Sequence, residues 1–362
     1  MRLLAAVAAV LSLAATAAPA AEPAIPSETI IRSAIDNAIR PGFAAFAVTT
    51  AKLRSDVAAL CATPSADTLE AARAQFAVTV LAFARVEFIR LGPLGESGRL
   101  ERLLFWPDPR GFVLKQVQAA LAAKDATATD PATLKGKSVA LQGFGALEFL
   151  LFGSGAESLA TAGDPYRCAY ASAIAGLDDS IAAEISREWN EEGPDSAVGH
   201  MLDPQPDADD YRTPTEVLEK LAGVLIDGTE TIRDQRLTPV IGTADGIIKP
   251  KSALFWRSGL AVPLIAADFA GLREFFVGAR FPEALNAGQH GWVSSGTLFE
   301  FDNAARDAAT VTDPIALAVT DERQLRALKA LSIVTGSLDT LIGDNLAAAL
   351  GLSSGFSALD GD

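Results

Sequence analysis

Three short stretches in the first half of the chain place ionisable side chains among apolar ones in patterns that could do chemistry. Leu69, Ala72, Phe76, Val80, Phe83, Glu87 and Arg90 follow one another at intervals of three or four, so a helix over 66–91 would carry them on one face. Glu87 and Arg90 then extend an apolar stripe, where a charge without a partner costs several kcal/mol. Either they pair and emerge into solvent just before Gly92-Pro93, or each meets a buried partner from elsewhere. The second stretch follows Arg102 and reads Trp106-Pro107-Asp108-Pro109-Arg110-Gly111. Two prolines forbid a continuous helix and hold Asp108 and Arg110 in a stiff turn. There they face a ligand or a second helix, or Asp108 caps a helix with Pro109 in its first turn. The third stretch runs from Gln142 to Gly153 and sets Glu148 among apolar residues, with Gly143 and Gly145 just before it. Glycine inside a helix costs ~1 kcal/mol against alanine, so this pair predicts a close approach by another backbone or a ligand. A buried Glu148 must be ion-paired or protonated. Arg90, Arg102 and Arg110 are its candidate partners, with Glu87 or Asp108 balancing the remaining charge.

The other candidates are weaker. His200 and His290, the only two histidines, sit in loop-like surroundings and belong to no H-E-x-x-H pattern. Gly351-Leu352-Ser353-Ser354-Gly355 matches a nucleophile elbow in letters, but no histidine follows Ser353 to complete a triad. Asp203, Asp207, Asp209 and Asp210 lack the glycine and terminal glutamate that a calcium loop needs. Two histidines and two cysteines also exclude a zinc ribbon or a disulfide-dense scaffold.

The elements that must position these residues read as helices almost throughout, because straight-chain helix formers dominate and alternating β-branched runs are scarce. The fold class expected is all-α, with helices over roughly 28–62, 66–91, 109–123, 134–152, 165–190, 213–237, 251–278, 300–308 and 321–350. Residues 191–212 contain Gly193-Pro194, Pro204 and Pro206 with several aspartates, the composition of an acidic linker. It divides the chain into two up-down helical bundles, 22–190 and 213–362. A short echo, Leu104-Phe105-Trp106 against Leu254-Phe255-Trp256 and Phe83-Ala84 against Phe269-Ala270, suggests that the bundles are related.

Thirty Lys and Arg against 45 Asp and Glu leave a net charge of −15, which disfavours nucleic acid and anionic membrane surfaces as partners. Residues 1–21 show Arg2, an apolar run and Ala18-Pro19-Ala20, the pattern of a cleaved secretory signal. No later run is long and apolar enough to span a bilayer, so an exported, periplasmic protein that is not integral to the membrane is expected. That compartment permits Cys61 and Cys168 to pair; the alternative is two buried thiols.

Three blocks, Glu87 to Pro93, Phe105 to Gly111 and Gln142 to Gly153, resemble the imelysin family, which includes imelysin-like peptidases and a periplasmic component of ferrous-iron uptake. The resemblance implies an exported all-α protein of two related bundles, linked to iron-regulated uptake, with a G-x-H-x-x-E signature that binds metal, iron or zinc. Gly143 and Glu148 match that signature, while Gly145 stands where the histidine belongs. A lone carboxylate is a poor transition-metal site. The expected cleft residues are Glu87, Arg90, Arg102, Asp108, Arg110, Gly143, Gly145 and Glu148, with no catalytic residue among them. The function expected is a non-catalytic module that binds a ligand, or an envelope or iron-uptake partner protein, in metal acquisition. The alternatives are a metallopeptidase whose metal site is completed from elsewhere, for instance by His290 with Glu148, and a structural envelope protein.

Overall fold

Helix formers fill the long segments, so helices run until proline, glycine or a tertiary contact stops them. The computed structural model describes residues 25–161, 163–242, 247–286 and 290–352, and every regular element among them is helical. The signal-like segment 1–21 lies outside these residues, as does most of the Gly351–Gly355 match.

Helix α1 runs from Ser27–Ala34 through a π turn, Ile35–Ile39, into Arg40–Ala62. Helix α2 is Ala66–Ala84, opened by a capping box in which the Ser65 and Thr68 side chains each accept from the other's backbone N–H. Next come α3 (Phe112–Ala123), α4 (Gly143–Phe152) and α5 (Pro165–Glu188). Helix α6 joins Pro214–Glu230, a π turn at Thr231–Leu237, and Thr238–Ile241. The last three are α7 (Ala261–Gly278), α8 (Gly291–Thr310) and α9, which runs from Glu322–Asp339 through the π turn Thr340–Leu346 to Ala347–Ala349. Two of these π turns stand just before a helical proline, Pro41 or Pro239, whose ring lacks an N–H and crowds the preceding carbonyls; a widened turn relieves both problems.

Three expected helices are cut short. The helix over 66–91 ends at Ala84, and Val86, Glu87, Phe88 and Ile89 are all buried, a succession that no single helical face produces. The span 134–152 is broken by a short 3-10 turn, Val139–Leu141, before α4 begins. Residues 253–260 form turns ahead of α7, with Phe255 at φ 56°. In the first and third cases charged or aromatic side chains leave the helical path to reach the other half of the chain, Glu87 meeting Arg236 and Phe255 meeting Phe76.

Helices α1, α2, α4 and α5 pack together, as do α6 to α9; α2 lies against α7, and the first turns of α1 against α6. The two Phe-Ala echoes lie on α2 and α7, and beyond α2 Phe88 meets Phe275 edge to face with ring centroids 6.1 Å apart. One continuous apolar core runs through both sets. Within 191–212 a short helix, Ala197–Leu202, buries Val198 and Met201. Cys61, at the end of α1, is joined to Cys168 of α5 by a disulfide with Cα atoms 5.6 Å apart. Among the described residues no helix is long and apolar enough to cross a membrane.

On α5, Asp178 is fully buried and neither carboxyl oxygen has a hydrogen-bond partner among the described residues. Burial, with a smaller contribution from Asp179, pushes its pKa well above the usual carboxylate range. The folded chain therefore keeps a proton that the unfolded chain loses from about pH 4 upward. Its stabilising contribution is complete below that pH and disappears as the pH rises toward the folded-state value. Asp178→Asn is expected to stabilise the protein by a margin that grows with pH, by about 1.4 kcal/mol per unit while the folded group stays protonated. Denaturation midpoints of both proteins between pH 4 and 8 check this; a constant difference would contradict it.

Candidate functional site

The two Leu-Phe-Trp segments, 150 positions apart in sequence, line one cleft of about 540 Å³. Leu104 to Asp108 and Val113 form one side, Lys249 and Lys251 to Arg257 the other, with Gly145, Glu148 and Phe149 of α4 between them. Phe255 is buried against Phe76, ring centroids 5.7 Å apart. Its left-handed backbone, costly for a bulky residue, turns the chain so that Trp256 and Arg257 face the cleft.

Glu148 is 4% exposed, and its partner is not the expected arginine. Its Oε1 accepts from the Ser258 backbone N–H at 2.9 Å and lies 2.8 Å from the Ser258 hydroxyl, while Arg257 Nη1 stays 4.0 Å from Oε2. Desolvation raises the Glu148 pKa, and the Ser258 and Arg257 contacts offset this only in part. The Ser258 hydroxyl has one proton but faces two acceptors, Glu148 Oε1 and, at 3.0 Å, the Phe255 carbonyl. The Ser258 backbone N–H, which has no second acceptor, is therefore the constant donor to Glu148 Oε1.

The expected arginines are dispersed. Arg90 donates to Thr231 Oγ1 at 3.1 Å, Arg102 lines a separate groove with Arg99, Lys135 and Glu184, and Arg110 lies 5.9 Å from the centre of the Phe112 ring on the surface. Asp108 lines the cleft, but both its oxygens are committed, accepting from the Phe112 and Val113 backbone N–H groups at 2.8 and 2.9 Å at the start of α3. The two glycines also differ. At Gly143, with φ 68°, a Cβ would stand 2.3 Å from the carbonyl oxygens of Arg102 and Leu103, so crossing backbones require this glycine. A Cβ at Gly145 would meet only Val113 at 3.5 Å, an ordinary contact, so Gly145 leaves open space in the cleft wall.

Glu87 belongs to a deeper cluster. It forms an ion pair with Arg236, each 3% exposed, and Arg236 Nε lies 3.7 Å from Asp268 Oδ2. Burial and the Glu87 carboxyl push the Asp268 pKa well up. Burial opposes the charge on Arg236, but Glu87 and Asp268 outweigh it and raise its pKa. Arg236 sits in the π turn Thr231–Leu237, whose Thr231 receives Arg90 and whose Gln235 carbonyl accepts from Trp106 Nε1 at 3.0 Å. Three residues of the first half thus dock on one irregular turn of the second.

A metal of the kind the G-x-H-x-x-E signature implies does not fit these residues. Gly145 offers no imidazole, Glu148 is engaged by Ser258, and among the described residues no group of three or more His, Cys, Asp or Glu could hold an ion. His290 stands at the N-terminus of α8 and His200 pairs with Asp210 at 2.6 Å; neither lines the cleft.

The sequence model of the Imelysin family matches residues 39–340. The chain belongs to the imelysin family. The crystal structure of an imelysin-like protein from Psychrobacter arcticum 273-4 superposes on this imelysin chain with a TM-score of 0.75 at 21% identity, covering 92% of this chain and 99% of that one. A second, named for an iron-regulated protein A precursor from Parabacteroides distasonis ATCC 8503, gives 0.66 at 14% identity over 90% and 98%. At these identities the likeness is one of fold. No curated protein matches the chain.

Sequence reasoning missed Arg236, Asp268, Arg257 and Ser258. A signal existed for the last two, because they follow Leu254-Phe255-Trp256 directly, where the first copy is followed by Pro107 and Asp108. Asp268 carried the same signal as Glu148, a single charge in the apolar run from Ser258 to Leu272, whereas nothing local distinguishes Arg236 from Arg233 and Asp234 beside it.

Proposed function

We propose that this imelysin is an exported, non-catalytic binding protein working in metal acquisition, and that the cleft between the two Leu-Phe-Trp turns is its ligand site. The observation that carries this reading is the pairing of Gly145 with a Glu148 carboxyl already engaged by Ser258. The position that would supply an imidazole is open space, and the one carboxyl beside it is held by Ser258. Such a wall can take up a ligand but lacks the donors to polarise a peptide carbonyl through a metal. The family match supports the setting, and the secretory pattern of 1–21 supports export.

Zinc and ferrous-iron titrations of the purified protein test it. Wild type is expected to bind neither tightly, while Gly145→His, which places an imidazole three residues before Glu148 where the space allows one, should bind zinc at least about tenfold more tightly. Stoichiometric tight metal in wild type, or chelator-sensitive cleavage of unfolded protein by it, would overturn the proposal and restore the metallopeptidase.

A further inference from the structure

In a chain of net charge −15, the cleft carries three cationic side chains, Lys249, Lys251 and Arg257. The two acids that line it among the described residues are Asp108 and Glu148. Asp108 spends both oxygens on backbone N–H groups, and Glu148 spends Oε1 on Ser258. The Arg257 guanidinium is held over two rings, 4.6 Å from the centre of Trp256 and 5.6 Å from that of Phe149, and Lys251 Nζ lies 5.5 Å from Trp256. Stacking of this kind fixes a guanidinium's plane while leaving its N–H groups free to donate. They donate to no described residue, and the nearest carboxylate oxygen is the 4.0 Å one of Glu148. A partly exposed, pre-aimed fork beside flat aromatic walls is suited to a carboxylate attached to a flat apolar body.

We infer that the cleft selects organic anions, a carboxylate received by Arg257 with Lys251 beside it and an aromatic or apolar body laid along Trp106 and Trp256. The inference rests on the cleft being the ligand site and adds the charge and shape of what it takes. A free small acid and the C-terminal carboxylate of a peptide share this chemistry. The metal whose acquisition is proposed would then arrive within an anionic complex and not as a bare cation.

Calorimetric titration of the full protein with benzoate and with its neutral counterpart benzamide is the test. Benzoate should bind in the millimolar range or better and benzamide at least about tenfold more weakly. Arg257→Gln should remove most of that preference, bringing benzoate down to the level of benzamide. Lys251→Gln, a change at an exposed side chain, should lower benzoate affinity by a factor of about two to three and guards against misfolding of the first variant. Tripeptides ending in phenylalanine, with free or amidated C-termini, separate the two sources: binding of the free form alone assigns a peptide terminus, and failure of both while benzoate binds assigns a small acid. Equal binding of benzoate and benzamide, a preference that survives Arg257→Gln, or no benzoate binding up to about 10 mM overturns the inference. None of these results would touch the binding-protein reading, which falls only to tight metal or metal-dependent cleavage.

Discussion

Replacing Arg236 by methionine is expected to destabilise the protein by about 3–5 kcal/mol, the cost of leaving a buried carboxyl without its cation. The residue and its partner Glu87 are each 3% exposed, so water cannot take over the role of the lost cation. The cluster is also where the halves of the chain are tied: Glu87 follows α2, Arg236 lies in the π turn of α6 and Asp268 in α7. The cost should therefore appear in the unfolding of the whole chain, read as a shift of the urea midpoint. Removing the opposing carboxyl as well, in Glu87→Gln with Arg236→Met, should recover much of the loss, because the desolvated charge is then absent from both sides. A single-variant loss below about 1 kcal/mol would mean that the pair contributes no more than a surface ion pair.

Opening the Cys61–Cys168 disulfide should cost about as much. The bond closes a loop of 107 positions, and a cross-link of that span removes about 4–5 kcal/mol of chain entropy from the unfolded state. The helices it joins, α1 and α5, pack along their length, so the reduced protein should keep its fold and lose stability. Urea midpoints with and without reductant measure the difference, and Cys61→Ser should reproduce it without reductant. Two free thiols in the unreduced, alkylated protein would remove the basis of the expectation.

Much of the helical fold was legible before any tertiary contact was known, because the signals are local. Ser65 and Thr68 stop and start helices through bonds spanning three residues, Pro165 and Pro214 occupy first turns, and apolar side chains recur at helical spacing along α2. The echoed Leu-Phe-Trp segments, the capping role of the Asp108 side chain and the unusual glycines in the first turn of α4 could likewise be singled out from their neighbours alone. Pro109, however, lies before the helix and not in its first turn, because α3 begins only at Phe112. Which charge meets which could not. Glu148 lies closer in sequence to Arg102 and Arg110, yet it is received by Ser258, 110 positions away, because the fold turns the second aromatic segment onto α4. Glu87 leaves its helical stripe to reach Arg236, 149 positions away, and that departure ends α2 early. Helix propensity and capping act within a turn or two of the chain and can be read there. Ion pairing and desolvation are set by which faces the packed core brings together, and for α2, α4 and the π turn of α6 only the assembled tertiary structure determines that.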